Sequence, residues 1–441
     1  MDTTDKSLRI AVAGLGTVGA SLVQALQEDG HRIARRCGRA VEVVAVSARD
    51  RSRERGISLE GLEWHDDPSA LADVDCDVVV ELIGGEDGPA HDLVSRALGN
   101  GRHVVTANKA LLAKHGLALA KIAEANGAAL LFEAAVAGGI PVVKAMREAL
   151  AGNTVTRVFG ILNGTCNYIL TRMETDGLSF EDCLADAQAL GYAEADPTFD
   201  IEGNDTAHKL AILASLAFGT QVAPDAIYLE GITGVRLADI EAAHDLGYRI
   251  KLLGVAQRTD AGVETRVHPA LVPLGSPIAE IGSVTNAVVA ETPSLGSLMM
   301  SGPGAGGAAT ASAVLGDIAD IARGNAAGPV FGEPAEALVP HERAAMGLHE
   351  GGCFLRMDVL DRPGVMASVA THMANEGISL ESIVQRRTRP RGEVDPEKDV
   401  QPIVLVTHEA EEQAVRRAVE AIRGEDYLAG EPSVIRIERL G

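Results

Sequence analysis

Lys209 stands in the stretch Gly191 to Leu213, GYAEADPTFDIEGNDTAHKLAIL, where a block crowded with carboxylates runs into the apolar LAIL. The chain has eight lysines among 39 basic residues, so arginine is its ordinary cation and an amine here asks for a reason. Asp205 and Lys209 are spaced i,i+4, which puts both on one face of a helix. On a surface such a pair contributes about 0.2–0.5 kcal/mol and requires no function. In a cleft, the same lysine could instead be a catalytic proton donor, as a hydride-transfer reaction would need, a role worth about 10²–10⁴ in rate. Spacing alone leaves both readings open.

Hydride chemistry needs a nucleotide, and Gly14-Leu15-Gly16-Thr17-Val18-Gly19 follows an apolar strand and opens a helix pattern. In that context the glycines permit a tight turn, close approach to a pyrophosphate and helix–strand packing, while the helix N-terminus supplies amides. The second strand, VEVVAVS, ends at Ser47-Ala48-Arg49-Asp50. A carboxylate at that tip suits the ribose hydroxyl of NAD, an arginine the 2′-phosphate of NADP. Arg49 therefore favours NADP or dual use, against Asp50 beside it and against a plain solvated pair. Thr106-Ala-Asn108-Lys109 comes just after a later strand, at the sheet edge where ligands bind, so Thr106 and Lys109 are candidates to face nicotinamide or substrate. Asn163-Gly164-Thr165 reads either as a helix N-cap or as a set of amides for a substrate carboxylate. Ser301 to Gly307, SGPGAGG, is either tight backbone packing or a cofactor contact, with Gly302 the candidate. His208 and His268 offer no rival catalyst, the latter sitting before a proline in VHPALVP.

Positioning these groups takes several elements. Residues 1–135 alternate short apolar runs (LRIAVAG, VEVVAVS, DVVVELI, HVVTA, ALLFEAAV) with amphipathic helix patterns, as in a doubly wound α/β Rossmann-type parallel sheet. PVVKAMREALAG follows as a helix with Pro141 near its first turn. Residues 136–307 read as a second, α+β substrate and dimerisation domain, after which a helix near 308–325 returns to the first. Residues 326–352, rich in Gly, Pro and Ala, read as a linker. The order βαββαβ over 353–441 is the ferredoxin-like pattern, with Arg389 to Gln401 as an exposed hairpin loop.

At 441 residues two or three domains are expected. The 39 basic and 62 acidic residues give a net charge of −23, which opposes binding to nucleic acid and anionic membranes and favours small metabolites as partners. Five cysteines without a CxxC pair disfavour a disulfide framework or structural zinc and suit a reducing cytoplasm. Neither an N-terminal signal nor an apolar run of about 18 residues is apparent.

AVAGLGTVG, TANKALLA, FEAAVAGGIP, GILNGTCNYIL, the acidic block and VHPALVP together resemble homoserine dehydrogenase, which interconverts L-aspartate 4-semialdehyde and L-homoserine. The tail VLDRPGVMASVATHMANEGISLESI resembles an ACT domain, a sensor usually tuned to amino acids. The resemblance implies Lys209 as proton donor, Asp205 as its orienting partner, Lys109 beside them and Glu194 for the substrate amine. Asp200, Asn163, Gly164, Thr165 and Tyr192 would complete the substrate site; Phe199 stands where some members carry a second acid. It also implies a monovalent cation, commonly sodium, on backbone oxygens of Glu133, Val136, Gly138 and Ile140. A homodimer or homotetramer, feedback by L-threonine, and a place in threonine, methionine and isoleucine biosynthesis would follow. The competing readings are a sensor of NAD(P) and amino acid without catalysis, and a dehydrogenase of another amino-acid aldehyde.

Overall fold

The computed structural model describes residues 6–326, 328–385 and 399–439. Its first sheet contains β1 (Leu8–Ala13), β2 (Val41–Ser47), β3 (Glu63–His65), β4 (Val78–Glu81), β5 (His103–Thr106) and β6 (Leu130–Leu131). All pairings are parallel, in the order β3-β2-β1-β4-β5-β6. That is the doubly wound order, with its switch point between β1 and β4. β1 and β4 are buried nearly throughout, as strands covered on both faces must be. Only β3 lacks an apolar run that would announce it. The covering helices are α1 (Thr17–Cys37), α2 (Pro89–Gly99) and α3 (Lys109–Ala125).

The helix expected after Gly139 is broken in kind. Pro141 stands just outside α4 (Val142–Lys144), which widens into a π-helical turn over Ala145–Ala149 closed by Leu150 N–H on the Ala145 carbonyl at 2.9 Å.

The second region contains β7 (Arg157–Ile161), α5 (Gly164–Asp176), α6 (Phe180–Ala189), α7 (Thr198–Ile201), α8 (Asn204–Phe218), β8 (Tyr228–Leu229) and α9 (Leu237–Asp245). β9 (Tyr248–Thr259), β10 (Gly262–Pro273), β11 (Thr285–Thr292) and β12 (Gly296–Pro303) complete it. α5, α8 and α9 pack on β9. The chain then returns, as α10 (Gly307–Arg323), to lie along α1.

The last region holds β13 (Glu350–Leu360), α11 (Val365–Asn375), β14 (Leu380–Gln385), β15 (Val400–Thr407), β16 (Ala410–Glu411), α12 (Glu412–Arg423) and β17 (Ser433–Ile437). Apart from the two-residue β16, this is the expected βαββαβ order. The hairpin loop expected at Arg389 to Gln401 falls, through residue 398, outside the described residues. This region does not stand apart as a separate sheet. β17 pairs in parallel with β10, so one eleven-stranded sheet passes through both regions: nine strands run β12-β11-β7-β9-β10-β17-β13-β15-β14, with β8 added beside β10 and β16 beside β13.

The stretch 326–352 is irregular, as its composition implies, but it is laid down firmly. Phe331 is buried against Phe132, their ring centroids 5.3 Å apart, and Ala335 N–H donates to the Glu124 carboxylate at 2.8 Å. Val330, Phe331, Ala335, Leu338, Ala344 and Met346 are buried along it, so scattered apolar residues anchor a segment that has no periodicity and is otherwise largely exposed. Among the described residues no helix is long and apolar enough to cross a membrane.

Candidate active site

At the carboxyl end of β1, Gly14 adopts φ +99°, and a Cβ there would lie 2.6 Å from the Leu82 carbonyl oxygen. A Cβ on Gly19 would stand 1.9 Å from the Gly14 carbonyl oxygen, so the strand–turn–helix joint admits no larger residue at either place. α1 begins at Thr17 with Gly16 as N-cap and no side chain capping it. Its first amides are thus left to a ligand or solvent, an arrangement suited to phosphate. Arg49 is exposed at the tip of β2. The Asp50 carboxylate is turned to its own loop, accepting from Ser52 N–H at 2.8 Å and Ser52 Oγ at 2.6 Å, and these bonds hold it below the usual range. Arg55, absent from the sequence reading, ties the two segments together by donating to the carbonyls of Leu15 at 3.0 Å and Asp50 at 2.6 Å.

Thr106 is buried and its hydroxyl donates to Glu81 Oε2 at 2.6 Å. The other oxygen of Glu81 accepts from Ile83 N–H at 2.8 Å and Gly84 N–H at 3.0 Å. Thr106 therefore shapes the sheet edge, while Ala107 and Lys109 face the cleft. A carboxylate ending the valine run VVVE was the available signal for Glu81.

α8 presents Asp205 in its first turn, where the helix N-terminus favours a carboxylate, and Lys209 one turn later. Lys209 Nζ donates to Asp205 Oδ2 at 2.7 Å and to the Leu162 carbonyl at 2.7 Å. Lys109 Nζ reaches Asp205 Oδ1 at 3.1 Å. Asn163, the N-cap of α5, accepts Cys166 N–H on its oxygen at 2.8 Å and donates from Nδ2 to Asp205 and Asp200, both at 2.8 Å. Burial alone would raise the Asp205 carboxyl, but the charges of Lys209 and Lys109 and the hydrogen bonds of Lys209 and Asn163 outweigh it and hold the group well below its ordinary range. Asp200 moves the other way, raised first by burial and then by the Asp205 charge. The i,i+4 pair thus belongs to a cleft, its lysine side chain only 12% exposed.

These groups line a cavity of about 630 Å³ that reaches from Asp200, Asp205 and Lys209 to Val18 at the start of α1. Gly164, Thr165 and Tyr192 are on its wall. The Thr165 hydroxyl is engaged in fixing the Tyr192 carbonyl at 2.7 Å. Glu194 is not brought in: it is exposed two residues beyond Tyr192, its carbonyl held by Gln188 at 3.0 Å. Gly302 lies in β12 behind the wall, which is made instead by Pro303, Gly304, Ala305 and Gly306. Asn286, unforeseen from sequence, lines the cavity and donates to the Leu162 carbonyl at 3.0 Å, sharing that oxygen with Lys209.

Glu133 to Ile140 turn sharply, Ala137 at φ 54° and Gly138 at φ 50°. The Glu133 carboxylate is taken by the amides of Val143 and Lys144, both at 2.8 Å. The Glu133 and Ile140 carbonyls accept from Val136 N–H at 3.4 Å and Val142 N–H at 2.8 Å. Among the described residues the buried carbonyls of Val136 and Gly138 accept no hydrogen bond, and such groups call for a partner. Among those residues no cluster of His, Cys, Asp and Glu could hold a metal, so a cation in this loop would rest on carbonyl oxygens.

Residues 14–133 match the family described as Homoserine dehydrogenase, NAD binding domain; residues 141–319 match Homoserine dehydrogenase; residues 354–424 match the ACT domain. A homoserine dehydrogenase of Pseudomonas aeruginosa is 44% identical, covering 99% of this chain and 100% of its own. The crystal structure of a homoserine dehydrogenase from Thiobacillus denitrificans is 40% identical and superposes with a TM-score of 0.91 over 99% of both chains. A hyperthermophilic archaeal homoserine dehydrogenase in complex with NADPH is 27% identical and covers 71% of this chain and 97% of its own, with a TM-score of 0.62. Since the likeness runs through the nucleotide sheet, the acidic cleft and the tail without interruption, the chain belongs to the homoserine dehydrogenase family, in the form that carries a C-terminal ACT domain.

Proposed function

We propose that the chain reduces L-aspartate 4-semialdehyde reversibly to L-homoserine with NADP(H), using Lys209 as proton donor. The observation that carries this reading is the Lys209 ammonium, 2.7 Å from Asp205 in a cavity continuous with the nucleotide loop. When bound, the nicotinamide supplies or accepts the hydride. As the aldehyde oxygen gains charge, Lys209 donates its proton to it; in reverse, the neutral amine takes the hydroxyl proton. Asp205 keeps the amine aimed, because its carboxylate stays ionised between two ammonium groups, and Lys109 adds positive charge on the nucleotide side. Asp200 and the amides at Gly164 and Thr165 hold the amino-acid end of the substrate, with Glu194 taking its ammonium if the 191–197 segment folds inward.

NADP is the preferred cofactor in this reading. Arg49 is free to meet a 2′-phosphate while Asp50 is turned to Ser52, and the archaeal relative was solved with NADPH. A sodium ion on the Val136 and Gly138 carbonyls, with those of Glu133 and Ile140, would satisfy the turn beside the cleft. The ACT region senses an amino acid, L-threonine in the feedback expected of a branch enzyme, in a homo-oligomer working in the cytoplasm. All five cysteines are free, in keeping with that compartment.

Following NADPH oxidation with aspartate semialdehyde tests the core of the proposal. The intact chain should turn over and Lys209→Ala should lose about 10²–10⁴ in kcat. Full activity in the variant would remove Lys209 from the mechanism, and no turnover in either protein would favour a non-catalytic sensor. Added L-threonine should inhibit the full chain; rates that ignore it would sink the effector assignment.

A further inference from the structure

Lys251 is 2% exposed and lies outside the catalytic cavity. It sits on β9 beyond the last rung shared with β7, which ends its pairing at Gly160 opposite Gly254. Among the described residues no carboxylate comes within ion-pair distance of it. The nearby carboxylates are taken by Arg249 on its own strand, which binds Glu174 of α5 at 2.8 Å and Glu280 of the turn Pro277–Glu280 at 3.3 Å. Lys251 is left with two neutral oxygens: the Ile281 carbonyl at 2.6 Å and Asn167 Oδ1 at 3.1 Å.

A buried ammonium without a counter-ion is costly, and its pKa is pushed down to about 8, first by burial and then by the Arg249 charge, against Glu174 and Glu280. A methionine would fill the same space without that cost. What the amine adds is a grip on one loop. Asn167 Nδ2 donates to the Ile281 carbonyl at 3.2 Å and the Thr285 carbonyl at 3.1 Å, so Lys251 and Asn167 hold both ends of Ile281–Thr285. Inside that loop Ser283 is forced to φ 55°. The Val284 carbonyl presses on Gly164 so closely that a Cβ there would be 2.8 Å away. Val284 and Asn286 then face the cavity, and Asn286 holds the carbonyl that also orients Lys209.

We propose that Lys251, acting with Asn167, is a positioning residue for the substrate: it clamps Ile281–Thr285 so that Val284 and Asn286 form the aldehyde-side wall of the cavity. The inference rests on the dehydrogenase reading above. In steady-state assays, Lys251→Met should raise KM for aspartate semialdehyde by about tenfold or more while KM for NADPH stays within about twofold. Its thermal midpoint should hold or rise, because a buried charge has gone. Asn167→Ala, which leaves Lys251 in place, should show the same split. The double variant should be no worse than the poorer single one, since both act on one loop.

Unchanged KM values in folded variants, equal changes for both substrates, or multiplicative effects in the double variant would overturn the clamp. A lowered midpoint with an unaltered KM would reduce Lys251 to a packing residue. A wild-type chain without turnover would instead bring down the dehydrogenase reading and the inference together, so the two failures are distinct.

Discussion

Two buried ionic networks, an aspartate–lysine cluster at the cleft and an arginine–glutamate cluster at the seam between the catalytic and ACT regions, put ion pairs to different ends. At the cleft, Asp205 collects two ammonium groups and an amide, and the cluster opens onto a cavity. At the seam, Arg266 on β10 is 1% exposed and bonds Glu264, His268 and, at 2.6 Å, Glu438, which also takes Arg157. Arg436 on β17 joins Glu412 at 2.6 Å, Glu230 at 2.8 Å and Tyr228 at 3.2 Å. There burial lowers the pKa of His268, whose Nδ1 lies 2.7 Å from the Pro269 carbonyl and whose Nε2 meets both Arg266 at 3.1 Å and Glu438 at 3.3 Å. None of these seam groups faces the catalytic cavity. Buried charge alone therefore does not mark a reaction site. A charge network becomes chemically useful where it keeps a donor facing open space, and elsewhere it fixes which surfaces meet.

The comparison breaks most sharply at Asp205. Asp205→Asn keeps the shape but removes the charge shared by Lys209 and Lys109, so kcat should fall about 10²–10³-fold, and stability should fall with it because both ammonium groups lose a buried counter-ion. A fall in the thermal midpoint with kcat unchanged would place Asp205 with the seam rather than the chemistry.

The converse holds for the seam. Glu438→Gln leaves buried Arg266 with Glu264 and Arg157 with the more distant Glu291 at 3.9 Å, and should cost about 3 kcal/mol of stability, read by urea denaturation. Activity per folded molecule should stay near wild type in the absence of effector. A variant as stable as the parent but slow in turnover would show that the seam reaches the cleft directly.

How much of this difference was legible beforehand follows from range in sequence. Lys209 and Asp205 are four residues apart, so helix periodicity exposed the pair, and Gly14, Gly16 and Gly19 declared themselves through strand and helix on either side. Asn286 and Lys251 gave no such signal, since Asn286 meets Leu162 across 124 residues and Lys251 meets Asn167 across 84 and Ile281 across 30. The union of β10 with β17 was equally hidden: both strands looked like sheet members, but nothing local specifies that an ACT edge pairs with a catalytic one. Thr106 and Gly302 were near misses, placed in the right segment but with their neighbours, Ala107 with Lys109 and Pro303 to Gly306, forming the wall.

A smaller effect should appear with acid. Burial would raise the carboxyls of Glu438 and Glu412, but Arg266 and Arg157 on the one and Arg436 on the other lower both. Carboxylates with lowered folded pKa values contribute stability above the unfolded value and lose it as pH falls through the folded one. The thermal midpoint should therefore drop progressively below about pH 4.5. Glu438→Gln should flatten that drop; an identical acid slope in the variant would show that the seam carboxylate does not govern it.

Arg49 belongs to neither network, and this limits what it can contribute. It is exposed at the tip of β2, so a bond to a 2′-phosphate would be charge-assisted but screened by water and salt. Arg49→Ala should lower kcat/KM for NADPH by about tenfold, leave NADH within about twofold, and show a smaller penalty as ionic strength rises. Arg51 and Arg55 flank the Trp64 ring at 5.7 and 6.0 Å, and Arg55 is already spent on the Leu15 and Asp50 carbonyls. If selectivity survives the loss of Arg49, the phosphate contact must be sought at Arg51 or Arg53. If NADPH and NADH fall together, Arg49 supports the β2 loop rather than reading the cofactor.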